Sequence, residues 1–571
     1  MSAIAFPRAR SRPADAPRIA IPLPRISLLT ASSFVLYIAL GSYLALVLHA
    51  FHGDAYSRVA NAYYVLFSRD PHLAAIGFVW MPLPSLFELV LVPLKVLFPA
   101  MTQAGFAAVV MSATFMALAV SALNGTLADL GVHRGLRLVL VLAFALNPMI
   151  VYYGAIGTSE GPTLFFAILT CRYLLRYAAT ASTGSLVGAG LGIAGGYLTR
   201  YEAAASAVGV ALFIVLLSLA RLDGSRRSRL AHAAGDIAVA LTPFVMVFVA
   251  WAVASWLIVG SPFTQFTSDY GNSNQMRVWA EQGANEIGLP LLPSLELTVL
   301  RLAALSAAAP LALLLGLGRI AIRRDFRVLA VGAVLTPMLG FMVLAYVVHV
   351  LAPWLRYFIL VIPLALLVLG IAVAPSGTKP AMADPAVRPR LRRSAAFRAA
   401  MAGVIALAAI ISVPVTGAGM LTPAVAVEES RDVGALLGPK AGQPDRPGAA
   451  VRTFASEASI AAYLDSLRLP SGSVLVDVFS AFPIVVFSDN PDQFVATTDR
   501  DFKQVLADPG TFGVRYLLVP SIEGHGQIDA INHAYPHLDV EADFVTVERQ
   551  FPALGTSSSW TLYRLVSTEA Q

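Results

Sequence analysis

The sequence predicts a polytopic α-helical membrane protein of about eleven spans with a C-terminal α/β soluble domain. Two observations carry this. Of 571 residues, 57% are hydrophobic and 13% charged, and the mean hydropathy is +0.71; this is more apolar side chain than a water-soluble domain hides. The charge is also unevenly placed. From residue 425 onward there are 10 Lys and Arg against 19 Asp and Glu, whereas the first 424 residues hold 30 and 15. The basic residues fall in short clusters between apolar runs, the pattern that orients helices across a bilayer. That distribution argues against nucleic acid as a partner. Cys171 is the single cysteine and lies in an apolar run, so neither an internal disulfide nor a cysteine metal cluster can form.

Taken in order, residues 1–25 carry five arginines among prolines and read as a basic cytoplasmic tail. The run 26–51 is too long for the apolar core of a signal peptide and lacks a small-residue cleavage site. It is the first span of a transmembrane domain covering 26–420, and it leads outward. Residues 52–82 are then an external first loop. Tyr56, Tyr63, Tyr64 and Phe67 recur in it at helical spacing, which suits a helix lying in the interface with its rings at headgroup level. The stretch 84–98 is apolar but broken by Pro93 and Lys95. It is expected to be juxtamembrane or re-entrant, because a full span there would put His133, Arg134 and Arg137 on the outer face.

Spans follow at 104–128, 136–154, 161–178, 184–199, 203–220, 236–259, 294–317, 328–350, 355–374 and 400–420. The clusters around Arg226, Arg323 and Arg392 all fall inside on this topology, and the polar loop 260–293 falls outside. The protein is expected to be a multi-pass plasma-membrane protein with a cytoplasmic N-terminus and an extracytoplasmic domain at 425–571. In that domain, 456–467 reads as a helix capped by Ser456, with further helices at 501–507 and 527–533. Strands are expected at 473–479, 484–487, 514–519, 544–549 and 560–565. Strands alternating with short helices make a small α/β layer, and no glycine-rich phosphate loop follows a strand.

On this topology the outer ends of the spans collect acids. Asp54 ends the first span, Glu160 lies in Gly157-Thr-Ser-Glu-Gly-Pro162, and Glu202 lies in Thr199-Arg-Tyr-Glu202. Arg58, Arg200, His349 and Arg356 are at the same level. A carboxylate at a membrane edge is costly unless it is paired or at work. It can take a proton from a hydroxyl or hold a divalent cation, and the arginine fork suits a phosphate. The structural readings are that Asp54 caps the helix 55–68, Glu160 starts a helix, Arg200 and Glu202 pair at the interface, and Arg356 anchors a span.

The residues Gly53-Asp-Ala-Tyr-Ser-Arg58, Trp80-Met-Pro-Leu-Pro84, Asn147-Pro, Ser159-Glu-Gly-Pro162, Leu198-Thr-Arg-Tyr-Glu202 and Trp354-Leu-Arg-Tyr-Phe358 stand in an order that resembles the GT-C class of membrane glycosyltransferases. That class includes protein O-mannosyltransferases, aminoarabinose transferases and oligosaccharyltransferases. The resemblance implies inverting transfer of a sugar or glycan from a polyprenyl-phosphate-linked donor to a protein, lipid or polysaccharide acceptor, within membrane lipids. It implies Asp54 and Glu160 as the catalytic pair, and Arg58, Arg200 and Arg356 as phosphate contacts. Tyr56, Glu202 and His349 complete the candidate substrate contacts. Ala55 stands where relatives have a second acid, so a divalent cation (Mg2+ or Mn2+, on Asp54 and Glu160) is left open. Two other classes fit the same composition: a transporter or flippase of a lipid-linked or anionic substrate, and a non-catalytic assembly factor.

Overall fold

The computed structural model describes residues 27–281, 289–352, 354–375, 388–436, 453–538, 544–553 and 558–566. The expected basic tail 1–25, Glu286 and the side chains of Arg388, Arg390, Arg392 and Arg393 lie outside the described residues.

Seven helices among the described residues are long and apolar enough to cross a membrane, or nine if two bent pairs each count as one span. Arg134–Ala145 and Pro148–Ala155 meet at 55°, and Leu291–Leu305 and Ala309–Arg323 at 92°. The first bend has a local cause. Asn147 caps the second half, its Oδ1 accepting from the Met149 amide at 3.0 Å, and Pro148 sets the new helix direction. The sequence expects eleven spans. The other two, Glu160–Thr180 and Thr183–Thr199, are helices; the first carries Glu160, Arg172 and Arg176, and the second has 17 residues. The chain is thus a multi-pass membrane protein, and the stretch 84–98 is the short helix Leu83–Leu91 running into a 3₁₀ turn at Val92–Val96.

The bundle is tightened by small residues. A Cβ on Gly190 would stand 2.0 Å from the Ala240 carbonyl oxygen, and one on Gly209 the same distance from that of Ala333. Only glycine admits such close backbone approach between helices.

The C-terminal domain has a five-stranded sheet: β1 Val474–Val476, β2 Phe494–Ala496, β3 Tyr516–Pro520, β4 Val545–Phe551 and β5 Trp560–Leu565. The strand order is β2-β1-β3-β5-β4, with β1 parallel to β2 and β3 and the remaining pairs antiparallel. The expected strand at 484–487 is instead the end of a helix, Val478–Phe487, and the strand beside β1 lies further on at 494–496. The run is apolar on every side, so it has no period to separate helix from strand. Ser456 lies inside the helix Ala455–Ser466, whose cap position is Phe454.

The two sheet faces go to different places. Leu475, Val495 and Leu517 pack with Phe502, Val505 and Ile531. Val474, Val476, Phe494 and Leu518 join one apolar cluster with the first-loop helix Gly53–Phe67. Tyr56, Tyr63 and Tyr64 on that helix are buried. Their helical spacing marks an apolar face, as the sequence predicts, but the face meets the α/β domain rather than lipid headgroups. Ion pairs fix the contact: Arg69 holds Asp499 at 3.0 Å and also Asp501, and Arg500 holds Asp70.

Candidate active site

The first-loop helix sets the site. His52 caps it, with Nδ1 accepting from the Asp54 amide at 3.2 Å. Asp54 is therefore released from the capping role that its position allows. Its side chain is 55% exposed, into an open cavity of about 770 Å3, mouth included. Arg58, Thr158, Arg200, Glu202, Trp354, Arg356 and Tyr357 also line this cavity.

Arg356 is the centre of the charge arrangement. It lies in the 3₁₀ turn Leu355–Phe358 and is buried. Its Nη2 donates to Asp54 Oδ2 at 2.7 Å, its Nε is 3.1 Å from Glu428 Oε2, and its Nη1 is 4.0 Å from Glu160 Oε1. Its guanidinium also stands 4.5 Å from the Trp354 ring centre. Arg200 donates from Nη1 to Glu160 Oε1 at 2.9 Å, pairs with Glu202, and lies over Tyr357. Arg58 donates to the Met81 carbonyl at 2.9 Å and lies near the Trp80 ring. Two guanidiniums thus hold four carboxylates, and burying such ions is tolerable only because each is paired. Enclosure by protein would raise the Asp54 carboxyl, but Arg356, with help from His52 and Arg58, outweighs it and holds it well below the usual carboxylate range.

Glu428 and Glu429, on the junction helix Val427–Leu436 that leads into the α/β domain, enter the site unforeseen. Glu428 Oε1 is 3.0 Å from His52 Nε2. Burial favours its neutral form, but Arg356 and then His52 keep it charged, with a lowered pKa. His52 is in turn raised, because Glu428 outweighs its burial. Glu429 Oε1 accepts from the Tyr153 hydroxyl at 2.7 Å and the Arg356 amide at 3.1 Å. Burial, and then the neighbouring Glu428, push Glu429 up to about 7. The signal that would have found this pair is the one that found Asp54: carboxylates at the mouth of a span.

Two expected substrate contacts are corrected. Tyr56 is 1% exposed and stands among Phe51, Phe454, Phe482 and Phe487, where the α/β domain docks. His349 is exposed, in left-handed backbone (φ 62°) just past Phe326–Val347, and is not among the described residues that line the cavity. Asp54, Arg58, Glu160, Arg200, Glu202 and Arg356 do come together.

Asp54 and Glu160, the residues left open as ligands of a divalent cation, are engaged by guanidiniums. Asp54 and Glu160 both face Arg356, and Glu160 faces Arg200 as well. A guanidinium thus stands between the two carboxylates that a metal would bridge. No group of three or more His, Cys, Asp or Glu among the described residues is arranged to hold a metal ion.

The motifs that bring these residues together resemble those of the GT-C membrane glycosyltransferases. Residues 94–253 match the family model described as dolichyl-phosphate-mannose-protein mannosyltransferase, which bears out that resemblance. Solved structures similar to this chain include ArnT from Cupriavidus metallidurans in the apo state, at 15% identity and TM-score 0.47, covering 93% of this chain and 97% of that one. The archaeal oligosaccharyltransferase AglB from Archaeoglobus fulgidus, solved with an inhibitory peptide and a dolichol phosphate, aligns at 13% identity and TM-score 0.43, covering 88% and 72%. The arabinofuranosyltransferase AftD from Mycobacteria aligns at 16% and 0.41, covering 94% of this chain and 40% of that one. No curated protein matches the chain.

Proposed function

We propose that the protein transfers a sugar from a polyprenyl-phosphate donor to a hydroxyl-bearing acceptor at the outer membrane face. The observation that carries this reading is Asp54, half-open to a cavity and held by the buried Arg356 among two further guanidiniums. Arg356 keeps Asp54 charged but weakly basic. A donor phosphate entering beside Arg58, Arg200 and Arg356 competes for the guanidinium, and Asp54 becomes a stronger base as its partner turns away. The acceptor O–H then attacks the anomeric carbon while its proton passes to Asp54. The bond from that carbon to the phosphate oxygen breaks with inversion, and the polyprenyl phosphate leaves with the bonding electrons. The arginines stabilise the charge on the departing phosphate. Glu160, buried between two guanidiniums, orients them rather than taking the proton.

Charge compensation by arginine makes a divalent cation unnecessary in this scheme. The test is incubation of purified protein with radiolabelled polyprenyl-phosphate sugars and membrane extract, with and without EDTA. Label should move to an acceptor in both. No transfer from any polyprenyl-phosphate sugar contradicts the assignment, and transfer abolished by EDTA contradicts the cation-free scheme.

A further inference from the structure

Besides the guanidiniums and their carboxylates, neutral side chains line the cavity: Thr158, Thr199, Tyr201, Asn272 and Gln275. Thr158 is 2% exposed, and its hydroxyl is buried without a hydrogen-bond partner; a buried polar group in a cavity calls for something to satisfy it. Asn272 Nδ2 donates to the Tyr201 hydroxyl at 2.8 Å, and Gln275 Nε2 donates to the Tyr270 carbonyl at 2.8 Å. Each amide so anchored keeps a second N–H and its carbonyl oxygen for a ligand's hydroxyls.

Asn272 and Gln275 belong to the loop helix Asn272–Glu281, and that helix is held from outside the bundle. Tyr270, just before it, reaches the α/β domain. Its hydroxyl donates to Asp477 Oδ2 at 2.8 Å, and its ring stacks on Phe479 at 5.3 Å between centres. Asp477 directly follows β1, which connects to β2 on one side and pairs with β3 on the other. The carboxyl ends of such strands, where the connections diverge, are where open α/β sheets form a crevice. Here the crevice receives Tyr270. Asp477 is fixed for that purpose, also accepting from the Ala530 amide at 2.7 Å and the Phe479 amide at 2.9 Å. The loop helix packs as well on the turn Gly524–Gln527 of the same domain.

We propose that Asn272 and Gln275, with Thr158, form a subsite for a hydroxyl-rich ring, and that the α/β domain sets its shape by holding Tyr270. The inference rests on the transferase reading above, so the ring is either the donor's sugar or the hydroxyl-bearing part of the acceptor.

The experiment uses full-length protein and measures binding of two probes: polyprenyl phosphate without a sugar, and whichever of the mannosyl, glucosyl and aminoarabinosyl forms the wild type binds most tightly. The variants are the double change Asn272→Ala with Gln275→Ala, and the single changes Tyr270→Ala and Tyr270→Phe. The bare lipid phosphate should bind all of them within about twofold of wild type. The sugar-bearing lipid should lose about tenfold in the double variant and in Tyr270→Ala, the worth of one or two neutral hydrogen bonds, with Tyr270→Phe between. Donor binding retained with the acceptor KM raised about tenfold at unchanged kcat also supports the subsite and assigns it to the acceptor. The subsite is overturned if both lipids weaken alike, or if neither binding nor KM moves in the double variant. Wild-type protein that binds no polyprenyl phosphate would instead overturn the transferase reading on which the subsite rests.

Discussion

The two ends of the helix bundle both carry arginine–carboxylate clusters, in opposite proportions. At the end away from the cavity, Asp129 is shared by Arg172 and Arg176 at 2.8 Å each, and Asp325 by Arg319 at 2.9 Å and Arg327 at 2.8 Å. One carboxylate there serves two cations, and Asp129 and Arg176 are about a third and a quarter exposed. At the cavity end Arg356 and Arg200 serve Asp54, Glu160, Glu202 and Glu428, and Arg356 has a side-chain exposure of 2%. Surplus arginine at a membrane edge is the ordinary orientation signal, with ion pairs tying helix ends together. Carboxylate gathered two to a guanidinium, around the buried Arg356, is expensive. On the proposed transferase reading, chemistry done there accounts for its cost.

Changes at the two ends should therefore differ in kind. The largest effect is expected for Arg356→Gln, which removes the guanidinium that Asp54 and Glu428 share and leaves them only His52 and Arg58 nearby. Breaking a buried pair costs on the order of 3–5 kcal/mol, so both Tm and transfer should fall steeply; Tm unchanged from wild type would show that the cluster is not held through Arg356. Glu428→Gln keeps the shape but loses the charge that holds Arg356 and His52. Transfer should drop about tenfold to a hundredfold, the worth of one hydrogen bond to a charged group, and wild-type kcat/KM would remove Glu428 from the site.

Glu429 supplies a pH signature. Its carboxyl is raised from 4.5 to about 7, so between those values the folded protein binds more protons than the unfolded chain. Stability contributed by the neutral acid is whole below about pH 4.5 and is lost as pH rises toward 7, by on the order of 3 kcal/mol. Melting profiles should show that decline in wild type and a flatter profile in Glu429→Gln; parallel profiles would contradict the buried neutral acid. The smallest effect belongs to the opposite end. Asp129→Asn should cost no more than about 1 kcal/mol and leave transfer unchanged, and a strong loss of transfer would erase the distinction between the ends.

The cavity end was partly legible in the sequence. Span parity alone puts Asp54, Glu160, Arg200, Glu202 and Arg356 at one level, and they do converge. Glu428 and Glu429 carry the same signal as Asp54, but an acidic pair after the last span also reads as a solvated linker, and only the fold brings the junction helix back against Arg356. Tyr56 shows a second limit. Helical spacing identifies a buried face without naming its partner, and the partner proved to be the α/β domain. The end of the helix Val478–Phe487, residues 484–487, reads as strand in the sequence because a short apolar run has no alternation to read.

The most direct measurement of the central claim is donor binding and transfer in Asp54→Asn, on the same preparation. In the proposed scheme Asp54 competes with the donor phosphate for Arg356 and then takes the acceptor's proton. The variant should therefore bind a polyprenyl-phosphate sugar at least as tightly as wild type, while its transfer rate falls by about 10²–10⁴. An Asp54→Asn protein that transfers sugar at the wild-type rate, or that loses transfer only because it no longer binds the donor, would contradict Asp54 as the base.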